Sequence, residues 1–344
     1  MTYTQPGRII KMTGGLYTVR LDAPDKAGGL AASPLAGQTV ECRARGNFRH
    51  ARTTPLVGDL VMVQYDDSSF EIGSPDKPGE PIPSADRTGL LITDILPRKN
   101  SLIRPPLANV DIMLTVVAAA SPDPDVPTLD KLLSILEFNR IEPILIIGKC
   151  ELAPRRAEKL RAIYERAGYR VFVLSCYTGE GMAAFVDFAS GELCGRITAV
   201  AGASGAGKST LLNTVFPGLD LTTGEISEKI GRGKNTTRHT QLFDLPGGEI
   251  GGFPGSKPTG GYIADTAGFS LLDFERFDFF TLEDLPHTFR EFAPYLGHCR
   301  YTDCTHMTDE GCAIAEAVRA GEIGKTRHAA YRELYTILKE KKKW

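Results

Sequence analysis

The N-terminal part of the chain contains short segments in which apolar and polar residues alternate, the period-two pattern of half-buried β-strands. The turn Thr13-Gly14-Gly15 between the first two segments indicates a hairpin. Residues 74–84 are rich in proline and glycine and are predicted to form an exposed loop. About five short strands predict a small barrel or sandwich, and an oligonucleotide-binding (OB) barrel is one candidate. The predicted strands are 8–12, 16–21, 40–45, 59–65 and 90–96, with a short piece at 70–72.

Around residue 110 the pattern changes to an alternation of buried strands and amphipathic helices. Alternation of this kind predicts a parallel sheet with helices on both faces, and it continues to about residue 270. From about residue 281 the chain is predicted to be helical, except around a cluster of cysteines and a histidine. The predicted strands are 111–119, 143–147, 169–175 and 197–201, and the predicted helices are 129–139, 153–167, 181–188 and 209–215.

Composition excludes several classes of protein. The 344 residues are 42% hydrophobic and 24% charged, which is ordinary globular usage and argues against a disordered chain or a coiled coil. No apolar run reaches the ~20 residues of a membrane-spanning helix, and the N-terminus has no apolar signal core. We therefore expect a cytoplasmic protein with no membrane partner.

The formal net charge is only −2, so any nucleic-acid surface must be local. Segment 41–52 carries four arginines and a histidine around Phe48, a composition that can track phosphates and stack a base. Segment 313–344 carries eight lysines and arginines against four glutamates. For both segments the alternative is an ordinary solvated surface.

Residues 202–209 match the phosphate-loop motif G-x-x-x-x-G-K-[ST] and lie between a predicted strand and a predicted helix, as the motif requires. Glycines let successive backbone N–H groups turn towards phosphate oxygens, and the helix adds the positive end of its dipole. Lys208 is expected to reach the β- and γ-phosphates, and the Ser209 hydroxyl is expected to ligate Mg²⁺. The predicted contacts of this loop are Gly202, Ala203, Ser204, Gly205, Ala206, Gly207, Lys208, Ser209 and Thr210.

Two downstream segments complete a predicted nucleotide switch. Asp265 is expected to hold Mg²⁺ through water and the Gly268 N–H to sense the γ-phosphate, while Thr237 is the candidate threonine ligand of Mg²⁺. Phe269 stands where many GTPases place a water-orienting glutamine, which predicts slow intrinsic hydrolysis. His239 is the candidate catalytic group in the loop, and a merely solvated histidine is the alternative. The predicted catalytic set is Lys208, Ser209, Thr237, His239, Asp265 and Gly268.

Candidate base-reading residues precede the phosphate loop in the chain. The strand at 143–147 ends in Gly148-Lys149-Cys150-Glu151, where Lys149 can pack its stem on a base and Glu151 can replace the aspartate that usually reads guanine. The next strand ends in Ser175-Cys176, which resembles the loop that supports the guanine O6. The elements therefore occur in a rotated order, and rotation can preserve a site because domain termini are often close together.

Cys299, Cys304, His306 and Cys312 offer three thiols and one imidazole within 14 residues. A tetrahedral Cys₃His set is typical of a closed, structural Zn²⁺ site. The alternative is a group of reduced core cysteines beside a surface histidine. The zinc is expected to organise a small module that has little apolar core of its own. The other four cysteines are scattered, which indicates reduced thiols.

Taken together and in this order, these motifs resemble the circularly permuted GTPases of the RsgA type, which assist maturation of the small ribosomal subunit. Residues 7–11, 42–46, 55–59 and 98–111 add to the resemblance, which covers nearly the whole chain. It implies the α/β fold class, with three domains: an N-terminal all-β OB-like barrel at 1–97, a circularly permuted P-loop GTPase domain at 98–275 and a C-terminal helical zinc-binding domain at 276–344.

The chain departs from the family pattern at three places. Gly148 stands where Asn or Thr is usual, Glu151 stands where Asp is usual, and residues 246–260 look like an insertion. The extra methylene of Glu151 predicts weakened or altered guanine discrimination, with GTP still ahead of ATP.

The resemblance implies GTP as substrate, Mg²⁺, and one structural Zn²⁺ at the four Cys/His positions. It also implies that both flanking domains contact the RNA of the small ribosomal subunit. The expected activity is hydrolysis of GTP to GDP and phosphate during late subunit maturation, slow alone and stimulated by the subunit, by a monomer. Because the segment 265–269 leads almost directly into the zinc domain, loss of the γ-phosphate is expected to reorient that domain.

Two alternative functions stay open. One is an RNA-binding assembly scaffold in which nucleotide controls binding and turnover is incidental. The other is an ATP-using small-molecule kinase, against which the Asp265–Gly268 element and the tandem threonines argue.

Overall fold

The computed structural model describes residues 2–23, 34–46, 48, 54–66, 70–74, 77–83, 89–102, 106–219, 240–245, 260–265, 280–307 and 310–341. The strands are β1 (Thr2–Thr13), β2 (Leu16–Leu21), β3 (Thr39–Ala44), β4 (Leu60–Asp66), β5 (Phe70–Ser74), β6 (Lys77–Pro83), β7 (Leu91–Ile95), β8 (Ser101–Leu102), β9 (Leu107–Ala108), β10 (Ile112–Ala118), β11 (Glu142–Gly148), β12 (Arg170–Val173), β13 (Ile197–Ala201), β14 (Thr240–Asp244) and β15 (Tyr262–Asp265). The helices are α1 (Val126–Phe138), α2 (Pro154–Arg166), α3 (Met182–Glu192), α4 (Lys208–Val215), α5 (Ala313–Ala320) and α6 (Lys325–Lys341).

The chain divides into two compact units. The first holds the described residues up to 110 together with 240–244 and 262–265, and the second holds the rest. No helix in the described parts of the chain combines the length and the apolar character that crossing a membrane requires.

The first unit contains a closed five-stranded barrel. Its strands follow one another in the order β1-β2-β3-β7-β4, and β1 also pairs with β4, which closes the sheet on itself. Alternate residues point inwards along each strand, and apolar side chains such as Ile9, Val19 and Val61 are fully buried there. The hairpin and the five strands predicted from the sequence are confirmed, and closure removes the exposed sheet edges that an open sheet would leave.

The prediction of an exposed loop at 74–84 is wrong. Strand β6 occupies most of this segment and pairs antiparallel with β5, with Phe70 opposite Pro83. Proline cannot donate a ladder hydrogen bond, but both strands of a two-stranded sheet are edges, where proline is tolerated. The proline content therefore marks an edge strand and not a loop.

The second unit contains a parallel sheet in the order β12-β11-β10-β13. On one face Val171 and Val173 pack into a cluster with Leu129 and Leu133 of α1 and with residues of α2. The intervening Phe172 points to the other face, where its ring meets aromatic rings of α3. Helices thus cover both faces, as the strand–helix alternation predicts. Helix α1 begins at a side-chain cap, since the Asp125 carboxylate accepts the N–H of Thr128 at 3.1 Å.

The C-terminal region, from residue 280 onwards, consists of two short 3₁₀ turns, the Cys/His cluster and helices α5 and α6. The expectation that it has little apolar core is wrong. Phe289 and Phe292 stack, and Tyr331 packs against both, in a buried cluster that also takes in Ile135 of α1. These aromatic residues come from irregular turns as well as a helix, so no single periodicity in the sequence reveals them.

A buried arginine joins the C-terminal region to the parallel-sheet domain. Arg327 of α6 is 0% exposed, and its guanidinium donates to Glu291 Oε1 at 2.6 Å and to Asp130 Oδ1 of α1 at 3.0 Å. The same guanidinium reaches the Tyr169 hydroxyl at 3.2 Å, and Tyr164 donates to Asp130 Oδ1 at 2.9 Å. Burial raises the pKa of Asp130, and the nearby Arg327 opposes that rise. The opposite charges in this network therefore offset the cost of removing one another from water.

Replacing Arg327 by alanine should lower the free energy of unfolding by about 3–5 kcal/mol, because Asp130 and Glu291 would stay buried without their cation. Equilibrium unfolding in urea measures the loss. The same change at Arg319, which is exposed and whose carboxylate partner among the described residues is Glu316, should cost less than about 0.5 kcal/mol.

The Arg327→Ala loss should also depend on pH. Without the guanidinium, the folded-state pKa of Asp130 rises further above its unfolded value, so the variant loses stability as pH increases from about 4 through that raised pKa. The difference from the unmodified protein should therefore be smaller at about pH 5 than at about pH 8. If the difference in the free energy of unfolding did not depend on pH, a group other than Arg327 would have to compensate the charge of Asp130.

Candidate nucleotide site and Cys/His centre

The phosphate-loop motif folds as its sequence predicts. It joins the fully buried strand β13 to helix α4, which begins at Lys208. Gly202 has a φ of +147°, and a Cβ there would lie 2.2 Å from the Val116 carbonyl oxygen, so only glycine fits. Gly207 occupies the N-cap of α4 in a left-handed conformation and has no side chain to cap the helix. The N–H groups of the first helical turn are thus left to an anion.

Lys208 is held across the loop. Its Nζ donates to the carbonyl oxygens of Gly202 at 2.7 Å and Ala203 at 2.8 Å. Burial lowers the pKa of this ammonium group. Phosphate oxygens are stronger partners than neutral carbonyls, so the side chain is already positioned for an anion. Ser209 is half-buried in the first turn of α4, and Ser204, Gly205 and Thr210 are exposed.

The base-reading segment lies against the phosphate loop. Lys149, which follows β11 in a left-handed conformation, donates its Nζ to the Gly205 carbonyl at 2.8 Å and also to the Ser121 carbonyl. Residues 148–151, distant from the loop in sequence, are therefore brought to it in the fold.

The side chain of Glu151, in the turn after β11, is partly buried. After burial, its negative charge contributes to the raised pKa of both the Cys150 and the Cys176 thiols. Its Oε2 atom is shielded from solvent and has no hydrogen-bond partner among the described residues. A shielded acceptor without a donor is costly, and the N1–H and amino groups of guanine are donors of the kind it lacks.

The loop after β12 is held by its own hydrogen bonds. The buried Ser175 accepts the N–H groups of Tyr177 at 3.2 Å and Thr178 at 3.0 Å through its Oγ. This fixes the backbone around Cys176.

Gly148 is not required sterically. A Cβ at this position would meet the Ala206 carbonyl oxygen at 3.7 Å, which is ordinary van der Waals contact. A side chain of the usual family type could therefore be accommodated.

Sequence reasoning missed the loop that follows β10. Ser121 accepts from Lys149, and Pro122 and Asp125 line a cavity of about 90 Å³ whose wall includes Gly202 and Ala203. This loop leaves the carboxyl end of β10, the strand beside β13. Only the strand order shows that it belongs to the site, and no local pattern in the sequence gives that order.

Several predicted site residues lie outside the described residues, namely Thr237, His239 and Gly268. Asp265 ends strand β15, which belongs to the first unit. Their assigned roles stay predictions, as does that of the 246–260 segment, most of which is likewise outside the described residues.

The four Cys/His residues converge on one point. Their ligand atoms all lie within 4.8 Å of one another, and the Sγ atoms of Cys299 and Cys312 are 3.5 and 3.7 Å from His306 Nδ1. Zn–S and Zn–N bonds of about 2.3 and 2.0 Å at the tetrahedral angle separate S from N by about 3.5 Å. The donor set and its spacing therefore fit Zn²⁺.

Neighbouring groups hold these ligands in place. Cys312 caps helix α5, and its Sγ accepts the Ala315 N–H at 3.4 Å. The imidazole of His328 donates to the His306 carbonyl at 2.8 Å, and the Tyr331 hydroxyl donates to the Thr305 carbonyl at 2.9 Å. Such surrounding hydrogen bonds orient metal ligands.

The fold combines a phosphate loop on a parallel sheet, a closed N-terminal barrel and a C-terminal Cys₃His centre. The segment predicted to read the base precedes the phosphate loop in the chain and lies against it. This is the arrangement of a circularly permuted P-loop nucleotide-binding protein. Comparison with known proteins gives the family. The RsgA GTPase profile matches residues 95–275, and the RsgA N-terminal domain profile matches residues 6–70.

Relatives align with the chain along nearly its whole length. The small ribosomal subunit biogenesis GTPase RsgA of Agathobacter rectalis is 37% identical over 339 residues, which is 98% of this chain and 99% of that protein. The protein of the same name from Geobacillus kaustophilus is 37% identical over 340 residues, which is 98% of both. The chain belongs to the RsgA GTPase family.

Solved structures agree. YjeQ from Thermotoga maritima matches with a TM-score of 0.70 at 28% identity, covering 98% of this chain and 99% of that one. YloQ, described as a circularly permuted GTPase, matches with a TM-score of 0.68 at 28% identity, covering 98% and 96%.

Replacing Glu151 by glutamine should reduce the preference for GTP over ATP by about 10- to 100-fold, because the amide removes one acceptor that guanine donors need. Binding of both nucleotides, measured by calorimetry, gives the ratio. Glu158→Gln, on the exposed side of α2, is the matched control and should leave the ratio unchanged. An unaltered ratio in Glu151→Gln would contradict the assignment of this carboxylate to the base.

The purified protein should contain one zinc ion per chain, measured by mass spectrometry of the metal. Cys312→Ser should lose most of that zinc and unfold several degrees lower, because Cys312 is both a ligand and the cap of α5. Cys194→Ser, at an exposed cysteine away from the cluster, is the control and should keep its zinc. Full zinc content in Cys312→Ser would exclude it from the ligand set.

Proposed function

We propose that this protein is a GTPase that binds the small ribosomal subunit and hydrolyses GTP to GDP and phosphate during late maturation of that subunit. The observation that carries the proposal is similarity over 98% of the chain to proteins named for this role. The site supports it, because Lys149 joins a phosphate loop to a base segment in which Glu151 offers an acceptor.

The proposed roles of the chain's own residues follow from their chemistry. Lys208 binds the β- and γ-phosphates from the position in which two carbonyls now hold it. Mg²⁺ supplies neutralisation of the developing phosphate charge, and Ser209, Thr237 and, through water, Asp265 are the residues proposed to hold it. The Gly268 N–H is proposed to sense the γ-phosphate and His239 to assist the attacking water.

The proposed organisation is an RNA-binding barrel at 1–97, the GTPase domain at 98–275 and the zinc-binding domain at 276–344. We propose that the barrel and the zinc-binding domain grip ribosomal RNA and that the protein works as a monomer in the cytoplasm. Two features support RNA contacts: the arginines of segment 41–52 and the basic C-terminal segment.

Phosphate release should be faster with GTP than with ATP, and purified small ribosomal subunits should raise the GTP rate by at least about tenfold. Lys208→Ala should abolish the stimulated rate, by at least about 100-fold, because the γ-phosphate loses its main cation. Subunit binding without stimulation of turnover would favour the assembly scaffold. Equal rates of phosphate release from GTP and from ATP would contradict the proposed specificity for GTP.

A further inference from the structure

The most solvent-exposed line of helix α2 carries only positive charge. With 3.6 residues per turn, Arg155, Lys159, Ala162 and Arg166 fall within about 60° of one another around the helix axis. All four are exposed, and the buried residues of α2 lie on the opposite side. We call the line formed by Arg155, Lys159 and Arg166 the α2 strip.

The cations of the strip differ from those beside it. On the flanks of the helix, Arg161 pairs with Glu158 and Glu165, and Arg156 pairs with Asp123. In the described part of the chain, by contrast, neither Arg155 nor Lys159 has a carboxylate partner, and Arg166 donates to a carbonyl, that of Gly321, at 2.6 Å. The flanking arginines thus have carboxylate partners, and the cations of the strip have none among the described residues.

The strip continues onto the C-terminal region. A Cβ on Gly324 would lie 3.5 Å from Cγ2 of Ile163, which shows that the start of α6 lies against α2. The next residue, Lys325, is exposed and adds a cation at the start of α6, with the exposed Glu322 three residues before it. Arg155 to Arg166 alone spans about 16 Å along the helix. A positive line of this length along α2 fits an extended polyanion.

An exposed aromatic residue lies near the other end of the strip. Tyr177, in the loop after β12, is 91% exposed, and Leu152, just before α2, is 55% exposed. The loops that carry them are in contact, because the Cys150 N–H donates to the Leu174 carbonyl at 3.4 Å. Cations along a line together with an open aromatic ring are typical of single-stranded RNA binding, in which phosphates meet the cations and a base stacks on the ring.

We propose that the α2 strip, with Lys325 and Tyr177, is a docking surface for a single-stranded segment of RNA in the small ribosomal subunit. The proposal rests on the proposed function for the identity of the partner. Helix α2 begins three residues after Glu151, so RNA bound here would lie at the rim of the base site. The subunit would then contact the GTPase domain directly, as well as its two flanking regions.

The test compares two double variants with equal net charge. Arg155→Gln/Lys159→Gln neutralises the strip, and Arg161→Gln/Arg319→Gln neutralises two exposed arginines that already have carboxylate partners. Binding to small subunits is measured at several salt concentrations in the presence of a non-hydrolysable GTP analogue. The strip variant should bind about three- to tenfold more weakly, and the slope of log affinity against log salt should fall by about 1.5. The control should change neither.

Tyr177→Ala separates stacking from charge. It should weaken binding several-fold while leaving the salt slope unchanged, because stacking releases no counterions. Intrinsic GTP hydrolysis should be unaltered in the strip and control double variants, since none of their substituted residues is assigned to the nucleotide.

Three outcomes would overturn the assignment. Equal binding and equal slopes for strip and control variants would show that the strip is a solvated surface. A defect with assembled subunits that disappears when naked subunit RNA is the ligand would assign the contact to a ribosomal protein. If the unmodified protein does not bind subunits at all, the proposed function fails, and that failure is distinct from failure of the strip.

Discussion

A buried guanidinium is the constraint on which the second unit of this protein depends. Removing a charge from water costs several kcal/mol, and neutral surroundings do not offset that cost. Arg327 is therefore stable inside the protein only while Asp130 and Glu291 both face it. Asp130 belongs to α1 of the parallel-sheet domain, whereas Glu291 and Arg327 belong to the C-terminal region. Neither part can be moved from the other without exposing or orphaning charge. The two parts are therefore held in one arrangement by electrostatics as well as by the aromatic cluster.

Helix α1 gives that arrangement its relation to the nucleotide site. Its N-cap, Asp125, lines the same cavity as Gly202 and Ala203, whose carbonyls hold Lys208. Further along the same helix Asp130 binds Arg327 and Glu137 binds Arg290 at 2.7 Å. Helix α1 thus lines the cavity beside the phosphate loop and also binds two arginines of the C-terminal region. This connection through α1 is separate from the predicted coupling of the γ-phosphate to the zinc-binding domain through residues 265–269.

Local chemistry explains what could be predicted from the sequence. The phosphate loop, the hairpin at Gly14 and Gly15 and the alternating strands are specified by residues close together in the chain, so their patterns are complete in short windows. The Cys₃His set is similarly local. The predictions that were wrong or missing concern residues whose structural partners are distant in the sequence. Arg327 reads as one more charge of a basic segment until Asp130 is known to face it, and β6 reads as a loop until its edge pairing with β5 is known. The loop at Ser121 becomes part of the site only through a strand order that no local pattern contains.

The altered base segment shows how a site can keep its geometry while its motif changes. A side chain at Gly148 would come within van der Waals reach of the Ala206 carbonyl and could join the base segment to the phosphate loop. In this chain Lys149 makes that connection, through its hydrogen bond to Gly205. The left-handed backbone at Lys149 then leads into the 3₁₀ turn that carries Glu151, so the chain still supplies a carboxylate in the segment beside the phosphate loop. Because the connection and the acceptor are both retained, loss of the usual residues at two of the four positions does not require loss of a guanine site.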